Sequence, residues 1–200
     1  MASAFPVVVF DLDGTLLRGT TVSLLLAEWL GRTAEIAQLE QAFSAHEITN
    51  SVVAETSAGW LAGQRTADAW RVLADGPWID GMTETFQALR TAGASLLLGT
   101  IIWSFAAEML RERYGFAAVS GTEMQASDGI LSGRISRYFD EHDKASFVEK
   151  WCARRGVSMD QVAAVGDSRS DIPLFRRAGL SIALNATPDA KEVATHMLET

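Results

Sequence analysis

Asp11-Leu12-Asp13-Gly14-Thr15 follows directly on the apolar run Val7-Val8-Val9-Phe10, and that junction constrains the fold more than any other stretch. A continuous β-branched and aromatic run bounded by turn residues reads as a parallel strand buried on both faces, here over residues 6–12. Residues two apart on a strand point the same way, so Asp11 and Asp13 leave its carboxyl end on one side. Open α/β sheets bind ligands at that edge. Two like charges held close are costly unless a cation or a reaction uses them. The plainer alternative is an Asx-type turn in which Gly14 supplies the unusual dihedrals.

The rest of the chain falls into two patterns. From about residue 20 to 75 the apolar residues recur at helical spacing. Val22, Leu25, Leu26, Trp29 and Leu30 predict one face of an amphipathic helix, and Ile36, Leu39 and Phe43 continue the pattern. From about residue 80 strands and helices alternate. Helices are predicted over 83–92, 104–114, 143–155, 171–178 and 188–197, and strands over 94–99, 116–120, 161–165 and 180–184. Gly93, Gly115, Gly156 and Gly179 serve as helix stops. Asp128-Gly129 within 121–138 is a hairpin signal. The expected fold is therefore α/β with a mostly parallel sheet and right-handed crossovers. A small all-helical insertion, 18–77, would interrupt a core made of 1–17 and 78–200.

A second acidic cluster follows another apolar strand: Gly166-Asp167-Ser168-Arg169-Ser170-Asp171. Asp171 opens the next helix, where an N-cap role is an alternative. Asp11, Asp13, Asp167 and Asp171 would together favour Mg²⁺, which takes hard oxygen ligands and a substrate phosphate. Thr100 ends a strand, and its hydroxyl with the backbone N–H groups beside it, Ile101 included, could hold phosphate oxygens. Lys144 stands in the first turn of a helix, against the dipole, so a specific role competes with that of a solvated lysine.

With these residues in place the chain resembles the haloacid-dehalogenase-like superfamily of phosphohydrolases, over nearly its whole length. Four motifs occur in order: Asp11-Leu12-Asp13-Gly14-Thr15, Thr100, Lys144, and Gly166-Asp167-Ser168 with Asp171. The helical insertion and the Asp128-Gly129 hairpin resemble the phosphoserine-phosphatase-like branch. The resemblance implies a Rossmann-like core with a cap. It also implies Asp11 as nucleophile, Asp13 as general acid and base, and Mg²⁺ held by Asp11, the Asp13 carbonyl and Asp167. Thr100, Ile101 and Lys144 would bind the phosphoryl group, with Asp171 and Ser168 in support.

This chain departs from that branch at three places. Ile101 and Ile102 stand where phosphoserine phosphatases have glycines. Thr20 occupies the position of the glutamate that reads the substrate amine. Asn50 to Glu55 offers Val52, Val53 and Ala54 where a cap arginine is expected. Unpaired buried charges are costly, so the expected substrate is not phosphoserine. It is a larger, less charged phosphorylated metabolite, such as a sugar, cyclitol or secondary-metabolism intermediate. Thr20, Trp29 and Trp103 are candidate pocket residues, while most tryptophans, Trp60, Trp70 and Trp78 among them, are expected as core anchors. Transfer of the phosphoryl group to an alcohol is the nearest enzymatic rival, with phosphoserine hydrolysis behind it. Dehalogenation is disfavoured, because it does not need Asp13 as an acid. A catalytically silent binding protein would have no reason to retain these costly polar groups.

The formal net charge of −8 argues against nucleic acid as a partner. No apolar stretch reaches the length of a membrane span, and Met1 to Pro6 carries no basic region of a secretory leader. A cytoplasmic monomer or homodimer is expected, a dimer forming through exposed cap aromatics. The single cysteine, Cys152, reads as a small buried hydrophobe.

Overall fold

The computed structural model describes residues 5–199 of the 200. Residues 1–4, including most of the segment examined for a leader, and residue 200 lie outside the described part. Among the described residues seven strands form one sheet. They are β1 (Val7–Phe10), β2 (Ser95–Trp103), β3 (Ala118–Ser127), β4 (Ile130–Arg137), β5 (Val162–Gly166), β6 (Leu180–Leu184) and β7 (His196–Leu198), in the order β4-β3-β2-β1-β5-β6-β7. All neighbours are parallel except the β3–β4 hairpin. β1 lies at the centre, paired with β2 through Val7↔Ser95 to Phe10↔Leu98 and with β5 through Val7↔Val162 to Phe10↔Val165.

The apolar run of β1 serves both faces of the sheet, as a buried parallel strand must. Val8 and Phe10 join Leu96, Leu98 and Phe86 on one face. Val7 and Val9 join Leu97 with Ala145, Val148 and Leu174 on the other. On the first face Phe86 meets Phe10 and Phe116 edge-on, both at ring distances of 5.1 Å. The first face also carries the helical insertion, α1 (Val22–Trp29), α2 (Thr33–Ser44), α3 (Asn50–Leu61) and α4 (Thr66–Ala74). Val22, Leu26, Val53 and Leu73 belong to the same apolar cluster as the sheet residues, so the insertion is packed down rather than standing off. α5 (Met82–Thr91) and α6 (Ser104–Tyr114) complete this side. α7 (Glu141–Ala153), α8 (Ile172–Phe175) and α9 (Pro188–Val193) follow later in the chain.

Several expected boundaries move. β2 runs through Trp103 rather than stopping at Gly99, so Thr100, Ile101 and Ile102 are strand residues beside a register irregularity. The strand expected over 116–120 and the first arm of the hairpin are one element, β3. Asp128 and Gly129 turn it with φ of 50° and 75°, the left-handed pair that a tight hairpin requires. The tip of that hairpin reaches the insertion: Gly63 N–H donates to the Leu131 carbonyl, and Leu131 N–H to that of Gln64, both at 2.8 Å. The helix expected to Met197 ends at Val193, and His196–Leu198 pairs with β6 instead. The buried face of α1 is Val22, Ser23, Leu26 and Ala27. Trp29 falls outside it, 36 % exposed.

Candidate active site

Asp11 stands where β1 ends, its N–H donating to the Val165 carbonyl of β5 at 2.8 Å. Its side chain is buried, 4 % exposed. Lys144 approaches from the first turn of α7. The capping box of Asp140 and Asp143 fixes that helix start and offsets the unfavourable position of a cation there. Lys144 is fully buried. Its Nζ donates to Asp11 Oδ1 at 2.5 Å and to Asp171 Oδ1 at 2.6 Å. The second oxygen of Asp171 accepts from the N–H groups of Asp167 at 3.0 Å and Ser168 at 3.2 Å. Asp171 therefore shapes the Gly166–Asp171 loop and positions Lys144 with its two oxygens. Gly166 is required beside it, because a Cβ there would overlap the Asp171 carboxylate.

Asp167 completes a cluster with Asp11 and Asp171 whose oxygens lie within 4.8 Å of one another. Thr15 Oγ1 donates to Asp167 Oδ1 at 3.4 Å. Gly14, at φ +78°, passes so close that a Cβ would overlap the Asp167 carboxylate. Asp13 does not join this cluster. Its Oδ1 accepts from the N–H of Val22 at 2.7 Å, at the N-terminus of α1, a natural seat for an anion. Thr100 is buried, and its Oγ1 accepts from Ile102 N–H at 3.3 Å.

The electrostatics follow from three clustered carboxylates, with Asp13 close by, facing one ammonium. Burial, opposed by Lys144, pushes the Asp11 carboxyl up to about 7. Burial, reinforced by the charges of Asp11 and Asp171, pushes Asp167 up to about 9. Burial and the charge of Asp11 raise Asp13 well above the ordinary carboxylate range, against the Val22 N–H. For Lys144 burial favours the neutral amine, but Asp11 and Asp171 outweigh it and raise its pKa. A site left this acid-rich binds protons or a cation. The hard oxygens of Asp11 and Asp167 suit a divalent ion of the Mg²⁺ kind.

Asp11, Asp13, Thr100 and Asp167 open into a cavity of about 650 Å³ between the sheet edge and the insertion, whereas Lys144 and Asp171 do not line it and lie buried behind Asp11. Asp11, Asp13, Thr100, Ile101, Asp167 and Ser168 line its floor, and Thr20, Glu40, Phe43, Asn50 and Val53 line its upper wall. Two ties hold the halves together here. Asn50 Nδ2 donates to the carbonyls of Ile101 and Phe139, both at 2.8 Å. Arg169 donates to the Phe43 carbonyl at 2.8 Å and to Glu141 Oε1 at 3.1 Å, with its guanidinium 4.3 Å from the centroid of the Phe43 ring.

Thr20 is thus in the cavity, but the two tryptophans proposed beside it are not. Trp103 is fully buried and stacks on Phe105 at 5.9 Å, because β2 continues through it into the core. Trp29 lies at the exposed end of α1. Nor is the cavity poor in charge beyond the motifs, for Arg18, Glu40 and Arg169 line it. The residues missed from the sequence are Thr15, Glu40, Asn50 and Arg169. Thr15 and Arg169 sit inside the first and second acidic clusters, whereas Glu40 and Asn50 carried no motif or spacing signal.

The family model for haloacid dehalogenase-like hydrolases matches residues 8–176, and the chain belongs to that family. Its relatives include a phosphoserine phosphatase of Archaeoglobus fulgidus, 31 % identical over 188 residues, 94 % of this chain and 54 % of the relative. One of Mycobacterium tuberculosis is 30 % identical over 94 % of this chain and 46 % of its own length. One of Polaromonas is 28 % identical over 96 % and 84 %. The chain thus spans about half the length of the first two. A family hydrolase from Salmonella enterica superposes with TM-score 0.89 at 20 % identity, over 97 % of this chain and 68 % of that one. A substrate-bound phosphoserine phosphatase gives 0.85 at 22 %, over 98 % and 93 %. These likenesses establish the α/β fold. No described helix is long and apolar enough to cross a membrane.

Proposed function

We propose that this chain is a Mg²⁺-dependent phosphomonoester phosphatase that works through an aspartyl-phosphate on Asp11. The observation that carries the reading is the division of labour between the two carboxylates of the first motif. Asp11 faces Lys144 and Asp167, whereas Asp13 is turned aside onto the N-terminus of α1. One carboxylate is held for attack and the other for proton transfer.

In this reading an Asp11 oxygen attacks phosphorus and the bond from phosphorus to the ester oxygen breaks. Asp13, kept protonated by its burial and by the Asp11 charge, gives its proton to the departing oxygen. Asp13 then takes a proton from water as that water attacks the aspartyl-phosphate, and the Asp11–phosphorus bond breaks to release inorganic phosphate. Lys144 and Thr100 hold the phosphoryl oxygens and stabilise their charge in both steps. Mg²⁺, held by Asp11, the Asp13 carbonyl and Asp167, would supply positive charge shared between nucleophile and phosphoryl group. That charge would also draw Asp11 below its metal-free value of about 7.

The substrate is a small phosphorylated metabolite, met in the cytoplasm, under a cap of residues 18–77 that closes on a core of 1–17 and 78–200. Glu40, Arg18 and Arg169 give the cavity charges that a zwitterion could meet, and the likeness to phosphoserine phosphatases supports phosphoserine as one of the esters to test. Phosphate release from a range of phosphomonoesters, with Mg²⁺ and with EDTA, tests the reading. Metal-dependent turnover abolished by Asp11→Asn supports it. Turnover that survives Asp11→Asn would overturn it. Phosphorylated alcohol formed in place of free phosphate would assign the chain to transfer.

A further inference from the structure

We propose that Asn50 is a positioning residue for phosphoryl binding: from the insertion it sets the peptide unit between Ile101 and Ile102, and through that unit the hydroxyl of Thr100. The inference rests on the phosphatase reading above and adds to it a link between the seating of α3 and the readiness of the phosphoryl site.

β2 pairs with β3 at Gly99 and again at Trp103, with an irregular stretch between, and with β1 only as far as Leu98. Thr100, Ile101 and Ile102 fall in that stretch, where the ladder pairs none of them. A buried carbonyl there still needs a donor. The Ile101 carbonyl has two: Thr122 Oγ1 from β3 and Asn50 Nδ2 from the first turn of α3, both at 2.8 Å. Asn50 gives its other amide proton to the Phe139 carbonyl, also at 2.8 Å. With carbonyls as both partners, the atom facing them is the amide nitrogen. In a trans peptide the C=O and the following N–H point opposite ways, so a carbonyl of Ile101 held toward Asn50 turns the Ile102 N–H away from it. That N–H donates to Thr100 Oγ1 at 3.3 Å.

A directed chain results, from the Asn50 amide through one peptide unit to the Thr100 hydroxyl. Thr100 Oγ1 accepts from the backbone, which leaves its own proton for a phosphoryl oxygen in the cavity that Thr100 lines. Hydrogen bonds in series polarise one another, so each link strengthens the next. Thr122 alone would satisfy the Ile101 carbonyl. The second donor comes from the insertion, and Asn50 is itself buried, 7 % exposed. The direction of the peptide therefore depends on where α3 sits. The tie to Phe139 extends that dependence to α7, because Phe139 immediately precedes the capping residue Asp140. With α3 lifted, the Ile101 carbonyl keeps one donor, the peptide can turn, and Thr100 loses its fixed direction.

A double-mutant cycle with Thr100 tests this, read by turnover of p-nitrophenyl phosphate with Mg²⁺ and by the inhibition constant of inorganic phosphate. Asn50→Ala should lower kcat/KM and weaken phosphate inhibition by roughly tenfold or more, as displacement of a binding group does. In a Thr100→Val background the same change should lower them less than about threefold, because the group that Asn50 positions is already gone. Should Asn50→Ala not fold, Asn50→Asp removes both amide donors, keeps the shape and suits a helix start, and the same pattern is expected of it. Equal losses in the two backgrounds would overturn the inference and make Asn50 a structural tie. Unchanged phosphate inhibition in a folded Asn50 variant would overturn it too. Both results leave the phosphatase reading standing. Absence of turnover of every ester by the unaltered chain, p-nitrophenyl phosphate included, would overturn both.

Discussion

Lys144→Met isolates the charge that holds the acid cluster together. The ammonium lies 2.5 Å from Asp11 and 2.6 Å from Asp171, and none of the three side chains is more than 5 % exposed. Solvent therefore screens the pair little, and its removal leaves carboxylates buried without a cation. Breaking such a pair costs about 3–5 kcal/mol. Methionine keeps an unbranched stem in the space beside Gly99, where a Cβ would meet the Lys144 stem, so packing contributes less than about 1 kcal/mol of this. The loss should depend on pH with a definite sign. Without Lys144, whose charge lowers them, the folded-state pKa values of Asp11 and Asp167 rise further above their unfolded values. Groups raised in this way leave the folded state intact at low pH and destabilise it as pH rises through the raised values. Urea denaturation in EDTA should thus show a larger penalty near pH 8 than near pH 5.5. A penalty below about 1 kcal/mol at the higher pH, or one that grows on acidification, would refute the reasoning.

Other perturbations test other parts of the site. Metal-free protein should lose stability as pH rises from about 4 to about 9, since Asp11 and Asp167 are raised to about 7 and 9; added Mg²⁺ should flatten that slope in thermal melts, and Asp167→Asn should abolish the metal effect. Gly14→Ala forces a Cβ onto the Asp167 carboxylate at φ +78°; a stability loss of about 1–3 kcal/mol in denaturant titrations and loss of metal-dependent turnover are expected. Arg169→Ala removes the tie from the Gly166–Asp171 loop to Phe43 and Glu141; limited proteolysis should cut within α1–α4 faster, with KM raised, and an unchanged cleavage rate would count against a latch.

The central strand and its two carboxylates were legible because each signal is local. Val7–Phe10 is apolar at every position, and only a strand end places Asp11 and Asp13 at a ligand edge. Asp128-Gly129 announced its turn through backbone preference alone. Thr100 was found, but its setting was not: β2 continues to Trp103 because pairing with β3 resumes at Thr122 after an irregular stretch, a long-range fact. The same pairing buried Trp103, which the sequence could place only near the cap. β7 was hidden for a similar reason. Three residues, His196–Leu198, become a strand only by lying against β6. Glu40 is one more charge on a polar helix until folding turns it toward the cavity, and Arg169, though inside the second acidic cluster, carries no sign of its own that it faces the cavity. Lys144 sat between these cases. Its position against the helix dipole hinted at a role, and only tertiary packing, with Asp11 and Asp171 on either side, explains why a lysine is fully buried there.

In the proposed mechanism a carboxylate oxygen of Asp11 takes the phosphoryl group. The most direct measurement is acid-quenched mass spectrometry of Asp13→Asn turning over p-nitrophenyl phosphate with Mg²⁺. That leaving group departs without a proton, so the first step proceeds while the base for the second is missing. A phosphoryl group, a gain of about 80 Da, is expected on the peptide carrying Asp11. Continued phosphate release with no adduct on that peptide, or an adduct on another residue, would contradict it.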